Sequence, residues 1–137
     1  MNNNLGLNQK HSTFSIIKAY RFAFIWALFI LVVCGINGAS FPKIKFDFTF
    51  GADKLAHLIL FGVQTWLILI AFLTLNKKPY IKYAFFAAVI SSLFGVLIEI
   101  LQATVFLNRS FDYADMLANA SGAFLCLPLR VLLTKKV

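Results

Sequence analysis

The chain has 137 residues, of which 61% are hydrophobic and only 13% are charged. Soluble domains carry about a quarter charged residues, so this composition, with a mean hydropathy of +0.83, excludes an ordinary soluble protein and indicates an integral membrane protein. The formal net charge of +8 does not indicate nucleic-acid binding, because the basic residues flank apolar stretches instead of forming one patch. We expect these basic residues to attract anionic lipid head groups.

Four apolar stretches follow a polar N-terminal segment. Residues 1–14 are predicted to form a flexible cytoplasmic tail. Each later stretch is close to the ~20 residues that cross a bilayer as a helix. Residues 15–137 are therefore predicted to form one all-α membrane domain with four transmembrane helices. The predicted helices are Phe22 to Pro42, Leu55 to Asn76, Tyr83 to Leu107 and Met116 to Leu133.

Basic residues are concentrated on one side of the predicted membrane. They precede the first helix, lie between the second and third, and follow the fourth: Lys10, Lys18, Arg21, Lys77, Lys78, Lys82, Arg130, Lys135 and Lys136. By the positive-inside rule, both termini are predicted to be cytoplasmic. A cleaved signal peptide is disfavoured for the first helix, because no small-x-small pair ends its apolar run.

The longest predicted connection, Gly38 to Gly51, joins the first two helices. Its large apolar residues alternate with small or charged ones: Phe41, Ile44, Phe46, Phe48 and Phe50. This alternation allows either a short extended segment or an apolar flap on the membrane interface, and we favour the flap.

Small residues in the third and fourth helices predict that these two helices pack backbone to backbone. They are Ala87, Ala88, Ser91, Ser92 and Gly95 in the third helix, and Ala118, Ser121, Gly122 and Ala123 in the fourth.

Eight polar residues stand out at the ends of the last three predicted helices and in the loops beside them. They are Asp53, His57, Glu99, Gln102, Arg109, Asp112, Asp115 and Asn119. Ionisable groups in hydrocarbon cost several kcal/mol each unless they are paired, so this set needs a reason in function or in helix assembly. Because successive helices run in opposite directions, we expect all of these residues near the extracytoplasmic boundary. Spacings of three or four residues put each helical set on one face, which predicts a polar layer shared by three helices.

Several of these residues also have a purely structural interpretation. Asp53 and Asp112 lie at helix starts, where a carboxylate can cap free backbone N–H groups. Arg109 either forms an ion pair with Glu99 or Asp115, or receives an anionic ligand group such as phosphate.

The remaining polar side chains leave similar alternatives open. His57 is either a hydrogen-bonded histidine or a proton carrier near neutral pH. Gln102 and Asn119 are suited to hydrogen bonds between helices. One histidine among carboxylates is too little to predict a metal site, and we expect no cofactor.

The order and spacing of these residues resemble a known family. Asp53-Lys54-x-x-His57, Glu99-x-x-Gln102 and Arg109-Ser110-Phe111-x-x-x-Asp115-x-x-x-Asn119-x-x-Gly122 are similar to motifs of the VanZ-like family of small bacterial membrane proteins. The resemblance covers about Asp53 to Gly122; Cys126 stands where the family commonly has another small residue. It implies a multi-pass protein of the bacterial inner membrane and cell envelope, in a family whose namesake is associated with teicoplanin resistance. It implies no settled reaction.

These observations favour a binding or remodelling protein for a lipid or a lipid-linked cell-wall intermediate with an anionic head group. In this hypothesis Arg109 holds the anion, His57 and Glu99 tune charge or move protons, and Gln102, Asp115 and Asn119 orient them, with Asp53 in support. The alternatives are a membrane enzyme acting on a lipid phosphate, with His57 or Glu99 as general base, and a purely structural helix bundle. Transport by a proton relay is less expected of four helices, and homo-oligomerisation is left open.

Overall fold

The computed structural model describes residues 12–35, 51–76, 80–106 and 110–134. These residues contain the α-helices α1 (Thr13–Gly35), α2 (Ala52–Leu75), α3 (Tyr80–Thr104) and α4 (Tyr113–Thr134). The prediction of an all-α fold with four helices is therefore confirmed.

The first helix differs most from its predicted bounds. It begins at Thr13 instead of Phe22, so Thr13 and Phe14, which we assigned to the tail, are helical. The carbonyl of Ser12 accepts the N–H groups of Ser15 and Ile16, which closes the first turn before the apolar run begins. Hydropathy marks where a helix becomes apolar, whereas the backbone hydrogen bonds mark where it starts. Residues 36–42 of the predicted helix and residues 38–50 of the predicted flap lie outside the described residues.

Three helices are long and apolar enough to cross a membrane, namely α1, α2 and Ile81–Thr104 of α3. At about 1.5 Å per residue, 23 or 24 residues extend for roughly 35 Å, which exceeds the ~30 Å hydrocarbon core of a bilayer. Many large apolar side chains of these helices, such as Phe24 and Leu93, point outward, as expected of residues that face lipid. The fourth helix has 22 residues, and its first two turns carry Asp115 and Asn119, which makes it less apolar.

Helix α2 lies at the centre of the bundle and contacts each of the other helices, most extensively α4. A Cβ atom added to Gly122 would overlap the backbone carbonyl of Leu58, and one added to Gly62 would lie 3.2 Å from the carbonyl oxygen of Gly122. The predicted contact between α3 and α4 exists, because a Cβ on Gly95 would lie 2.8 Å from the Cβ of Asn119. The closest backbone approach nevertheless joins α4 to α2, which corrects our assignment of Gly122 to the α3 interface.

The apolar interior has two parts. One, which we call the apolar cluster, is formed by Ala23, Ile68, Leu69, Ala84 and Ala87, with Tyr20, Phe72 and Tyr83 packed around it. The other consists of Ile30, Cys34, Phe61 and Ile98 and lies next to the polar residues described below. Aromatic edge contacts support the first part, since the ring centroids of Tyr20 and Phe72 are 5.8 Å apart at 87°.

A cavity of about 510 Å³ opens between α1, α2 and α3. Its walls are almost entirely apolar and include Tyr20, Ala23, Ile68, Phe72 and Phe94. Gln64 also lines the cavity, and its Oε1 atom is buried without a hydrogen-bond partner among the described residues.

Candidate functional site

Five polar side chains from three helices are buried together at one end of the bundle. We call them the polar cluster: His57 from α2, Glu99 and Gln102 from α3, and Asp115 and Asn119 from α4. They meet because α2 and α4 begin at this end of the bundle and α3 ends there. Asp115 and Asn119 are four residues apart, so both side chains lie on the face of α4 that is directed toward α2. Gly122, about one turn after Asn119, contacts the backbone of α2 on the same face.

His57 is held by Asn119. The Nδ1 atom of His57 lies 2.9 Å from the amide oxygen of Asn119. Because an amide oxygen only accepts hydrogen bonds, this contact assigns the proton to Nδ1. The other ring nitrogen, Nε2, then faces two carboxylates, with Asp115 Oδ2 at 3.9 Å and Asp53 Oδ1 at 4.0 Å. Both distances exceed that of a hydrogen bond.

Glu99 is fully buried and only partly satisfied. Its Oε2 atom accepts the backbone N–H of Asp112 at 3.2 Å, whereas Oε1 has no hydrogen-bond partner among the described residues. Glu99 therefore brings an unused acceptor to the polar cluster.

Gln102 connects the cluster to the first helix. Its Nε2 atom donates to the backbone carbonyl of Cys34 at 3.3 Å, one residue before the end of α1. This hydrogen bond satisfies one of the carbonyl groups left free at a helix C-terminus. Gln102 therefore binds a backbone atom of α1, whereas His57 binds the Asn119 side chain of α4.

Lys54 is a member of the site that the sequence analysis did not select. Its Nζ atom lies 3.2 Å from Asp112 Oδ2 and 3.3 Å from Asp115 Oδ1, so one ammonium group bridges two carboxylates of the α4 start. A signal for it existed in the sequence, because Lys54 precedes His57 by three residues and so shares its helix face. We had named Arg109 as a possible ion-pair partner of Glu99 or Asp115 and had assigned no partner to Lys54.

The two candidate capping carboxylates behave differently. Asp112 caps α4, as predicted: its Oδ1 atom accepts the N–H of Ala114 at 2.7 Å. This hydrogen bond and the nearby Lys54 ammonium lower the pKa of Asp112 below its usual value. Asp53 does not cap α2, because the helix begins one residue earlier and Gly51 occupies the N-cap position. The Asp53 side chain is instead 54% exposed at the rim of the polar cluster.

The remaining candidate, Arg109, lies outside the described residues, as do its neighbours in residues 107–109. Among the described residues of the site, four carboxylates face one lysine: Asp53, Glu99, Asp112 and Asp115 against Lys54. The described part of the site is therefore acidic and suits cationic groups and hydrogen-bond donors. One oxygen each from Asp53 and Asp115 and one nitrogen of His57 lie within 4.8 Å of one another, which is a spacing that permits a metal ion.

A comparison with protein families matches the model described as VanZ/LLP1 over residues 3–133. The chain belongs to the VanZ/LLP1 family. This match extends well beyond Asp53 to Gly122, the part of the chain in which we had recognised motifs, and it includes α1. No curated protein and no solved structure matches significantly. Membership, together with the long apolar helices, is consistent with a membrane protein.

Proposed function

We propose that this VanZ/LLP1 family member crosses the bacterial cytoplasmic membrane four times, with both termini in the cytoplasm, and binds the head group of an anionic or lipid-linked envelope molecule. The positive-inside distribution of lysine and arginine supports this orientation. In that orientation the polar cluster lies at the extracytoplasmic boundary, within reach of lipid head groups of the outer leaflet.

The observation that carries this proposal is the buried Oε1 atom of Glu99, which has no hydrogen-bond partner among the described residues. Leaving a buried polar group unsatisfied costs about 1 to 3 kcal/mol, and more for a charged group. A bundle that used these residues only for its own assembly would gain stability from an apolar side chain at this position. A ligand that donates a hydrogen bond, such as a sugar hydroxyl or an amine, removes the penalty.

An anionic group on the same ligand would be held by two basic residues. Lys54, which also bridges Asp112 and Asp115, is one quarter exposed, and Arg109 follows α3 in the chain. In this proposal these two cations hold a phosphate, while its hydroxyl or amine substituent reaches Glu99. Phospholipids and lipid-linked cell-wall intermediates both combine a phosphate with such donors. A contribution to teicoplanin resistance stays a prediction from family resemblance.

Native mass spectrometry of the purified protein tests this proposal by measuring the lipid that remains bound. We expect Arg109→Ala and Glu99→Gln each to lower retention of anionic lipid by about tenfold, which corresponds to roughly 1.4 kcal/mol of binding free energy. Lys82→Ala is the matched control, since it removes one positive charge near the start of α3, at the opposite end of the bundle.

Unchanged retention in both site variants would overturn the head-group proposal. The structural alternative makes a different prediction, because it requires Glu99→Gln to lower the thermal stability in detergent in proportion to any lost function. Thermal unfolding of the same samples, measured in parallel, separates the two interpretations.

A further inference from the structure

We infer that Asp53, His57 and Asp115 form a binding site for a divalent transition-metal ion, with Zn²⁺ as the best fit. One potential ligand atom of each side chain lies within 4.8 Å of the other two. Metal–ligand bonds to nitrogen and oxygen measure about 2.0 to 2.2 Å, so two ligands of one ion lie up to about 4.2 Å apart. The distances from His57 Nε2 to Asp115 Oδ2, 3.9 Å, and to Asp53 Oδ1, 4.0 Å, lie below this limit. They exceed by about 0.5 Å the roughly 3.4 Å that separates two ligands of a tetrahedral ion, so the side chains draw together when the ion binds.

The hydrogen bond between His57 and Asn119 prepares the histidine to be a ligand. It places the proton on Nδ1, so Nε2 of the neutral ring keeps its lone pair and directs it between the two carboxylates. Metal-binding histidines almost always donate their second ring N–H to an oxygen of the protein, which fixes the tautomer and the ring orientation. Asn119 supplies that oxygen here.

The charges around the three side chains also match a divalent cation. The two candidate ligands Asp53 and Asp115 are carboxylates, and Asp112 and Glu99 lie beside them, whereas the described part of the site contains one cation, Lys54. The second oxygen of Asp115 is held by Lys54, so the carboxylate is oriented with one oxygen toward His57. The fully buried Glu99, whose Oε1 atom has no hydrogen-bond partner among the described residues, adds a further carboxyl group to this surrounding. Burying several carboxyl groups together is costly in a medium of low dielectric constant, and a bound cation lowers that cost.

The site has an open side and a closed side. His57 and Asp115 are buried, whereas the Asp53 side chain is exposed, so an ion can enter from the side of Asp53. A set of three protein ligands leaves at least one coordination position for water or for another oxygen ligand. An imidazole nitrogen in the set favours Zn²⁺ over Mg²⁺, Ca²⁺ and Mn²⁺, which prefer oxygen ligands.

Metal titration of the full-length protein in detergent, with any affinity tag removed, tests this inference. After treatment with a chelator, we expect the protein to bind one Zn²⁺ per chain by isothermal titration calorimetry and elemental analysis, and to bind Mg²⁺ at least about tenfold more weakly. His57→Gln, Asp53→Asn and Asp115→Asn should each weaken Zn²⁺ binding by about tenfold or more.

Asp112→Asn is the matched control. It removes a carboxylate that contacts Lys54, as Asp115 does, but that is not one of the three proposed ligands. This substitution should therefore leave Zn²⁺ affinity within about threefold of wild type. Asp53→Asn keeps the test decisive if a buried variant fails to fold, because the Asp53 side chain is exposed. Absence of stoichiometric Zn²⁺ binding, or equal losses in Asp53→Asn and Asp112→Asn, would overturn the metal site.

The metal site and the proposed head-group binding can fail separately. The three ligands require no lipid, and Zn²⁺ binding is measured on delipidated protein. Lipid retention is then measured with and without the chelator. A chain that binds Zn²⁺ but retains no anionic lipid in either condition keeps the metal site and refutes the head-group proposal.

Discussion

The two ends of this helix bundle are held together by different interactions. At the end where α1 begins, the apolar cluster and its aromatic neighbours fill the interior. At the other end, hydrogen bonds and ion pairs join α2, α3 and α4 through the polar cluster, Lys54 and Asp112. Helix α2 contributes to both ends, with Ile68 and Leu69 in the first and His57 in the second.

The polar end, unlike the apolar end, contains buried groups that helix assembly does not require. At the apolar end, α1, α2 and α3 are joined by apolar packing. A cavity with almost entirely apolar walls lies between the same three helices. The polar end buries carboxylates that a membrane bundle does not need and that cost free energy when they are incompletely paired. Within the described parts of the chain, a buried side-chain oxygen without a hydrogen-bond partner occurs in both regions, in Gln64 at the cavity and in Glu99 in the polar cluster.

The largest expected effect concerns the backbone contact beside the polar cluster. Gly122→Ala should lower the free energy of unfolding by about 3 kcal/mol, because its Cβ would overlap the Leu58 carbonyl and force α2 and α4 apart. Denaturation in mixed detergent micelles, followed by circular dichroism, measures this loss.

Gly51→Ala is the control for that substitution. A Cβ at Gly51 meets no atom within 4 Å, so we expect a loss of no more than about 1 kcal/mol from its N-cap position. If the two variants unfold at the same detergent composition, the α2 and α4 backbones are not in the contact described above.

A smaller effect is expected when the histidine loses its partner. Asn119→Ala leaves the Nδ1–H group of His57 buried without an acceptor and should cost about 2 kcal/mol of stability. It should also release the ring, which nuclear magnetic resonance of a ¹⁵N-labelled histidine detects as a mixture of tautomers.

Asn76→Ala provides a comparison at the opposite end of α2. Its side chain donates only to the Phe72 carbonyl at the helix terminus, where water can replace it, so we expect a loss of at most about 1 kcal/mol. A His57 tautomer that is unchanged in Asn119→Ala would refute the assignment of the Nδ1 proton.

The smallest effect should have the opposite sign. Gln64→Leu replaces a buried amide whose Oε1 atom has no hydrogen-bond partner among the described residues by an apolar side chain of similar size, so it should raise the free energy of unfolding by about 1 kcal/mol. The same unfolding measurement checks it, and a loss of stability would mean that Gln64 has a polar partner in the membrane. In that case a buried polar interaction would stabilise the apolar end of the bundle as well as the polar end.

The sequence predicted the polar layer because the information for it is local. Spacings of three and four residues within a helix fix which side chains share a face, so His57, Glu99 and Asn119 were expected to converge before any helix contact was known. The Asp112 cap was also predictable, since capping depends only on the residues that open a helix.

The partners across helices were not predictable in the same way. Lys54 binds Asp112 and Asp115, which lie 58 and 61 residues further along the chain. The axial offset between α2 and α4 determines which acidic residue Lys54 reaches. The contact of Gly122 with Leu58 sets that offset. No pattern within a single helix contains this information, and the same limit explains why Gly122 was assigned to the wrong neighbour.

The absence of space for a side chain at Gly122 also determines how rigid the polar end is. The separation of α2 and α4 is fixed by backbone atoms in contact one turn from Asn119, and not by the attraction between the charged side chains above them. The helices that carry His57 and Asp115 therefore keep their separation whether or not a cation or head group is bound. A site built on such a contact is preorganised, so binding orders few additional groups and loses little affinity to conformational entropy.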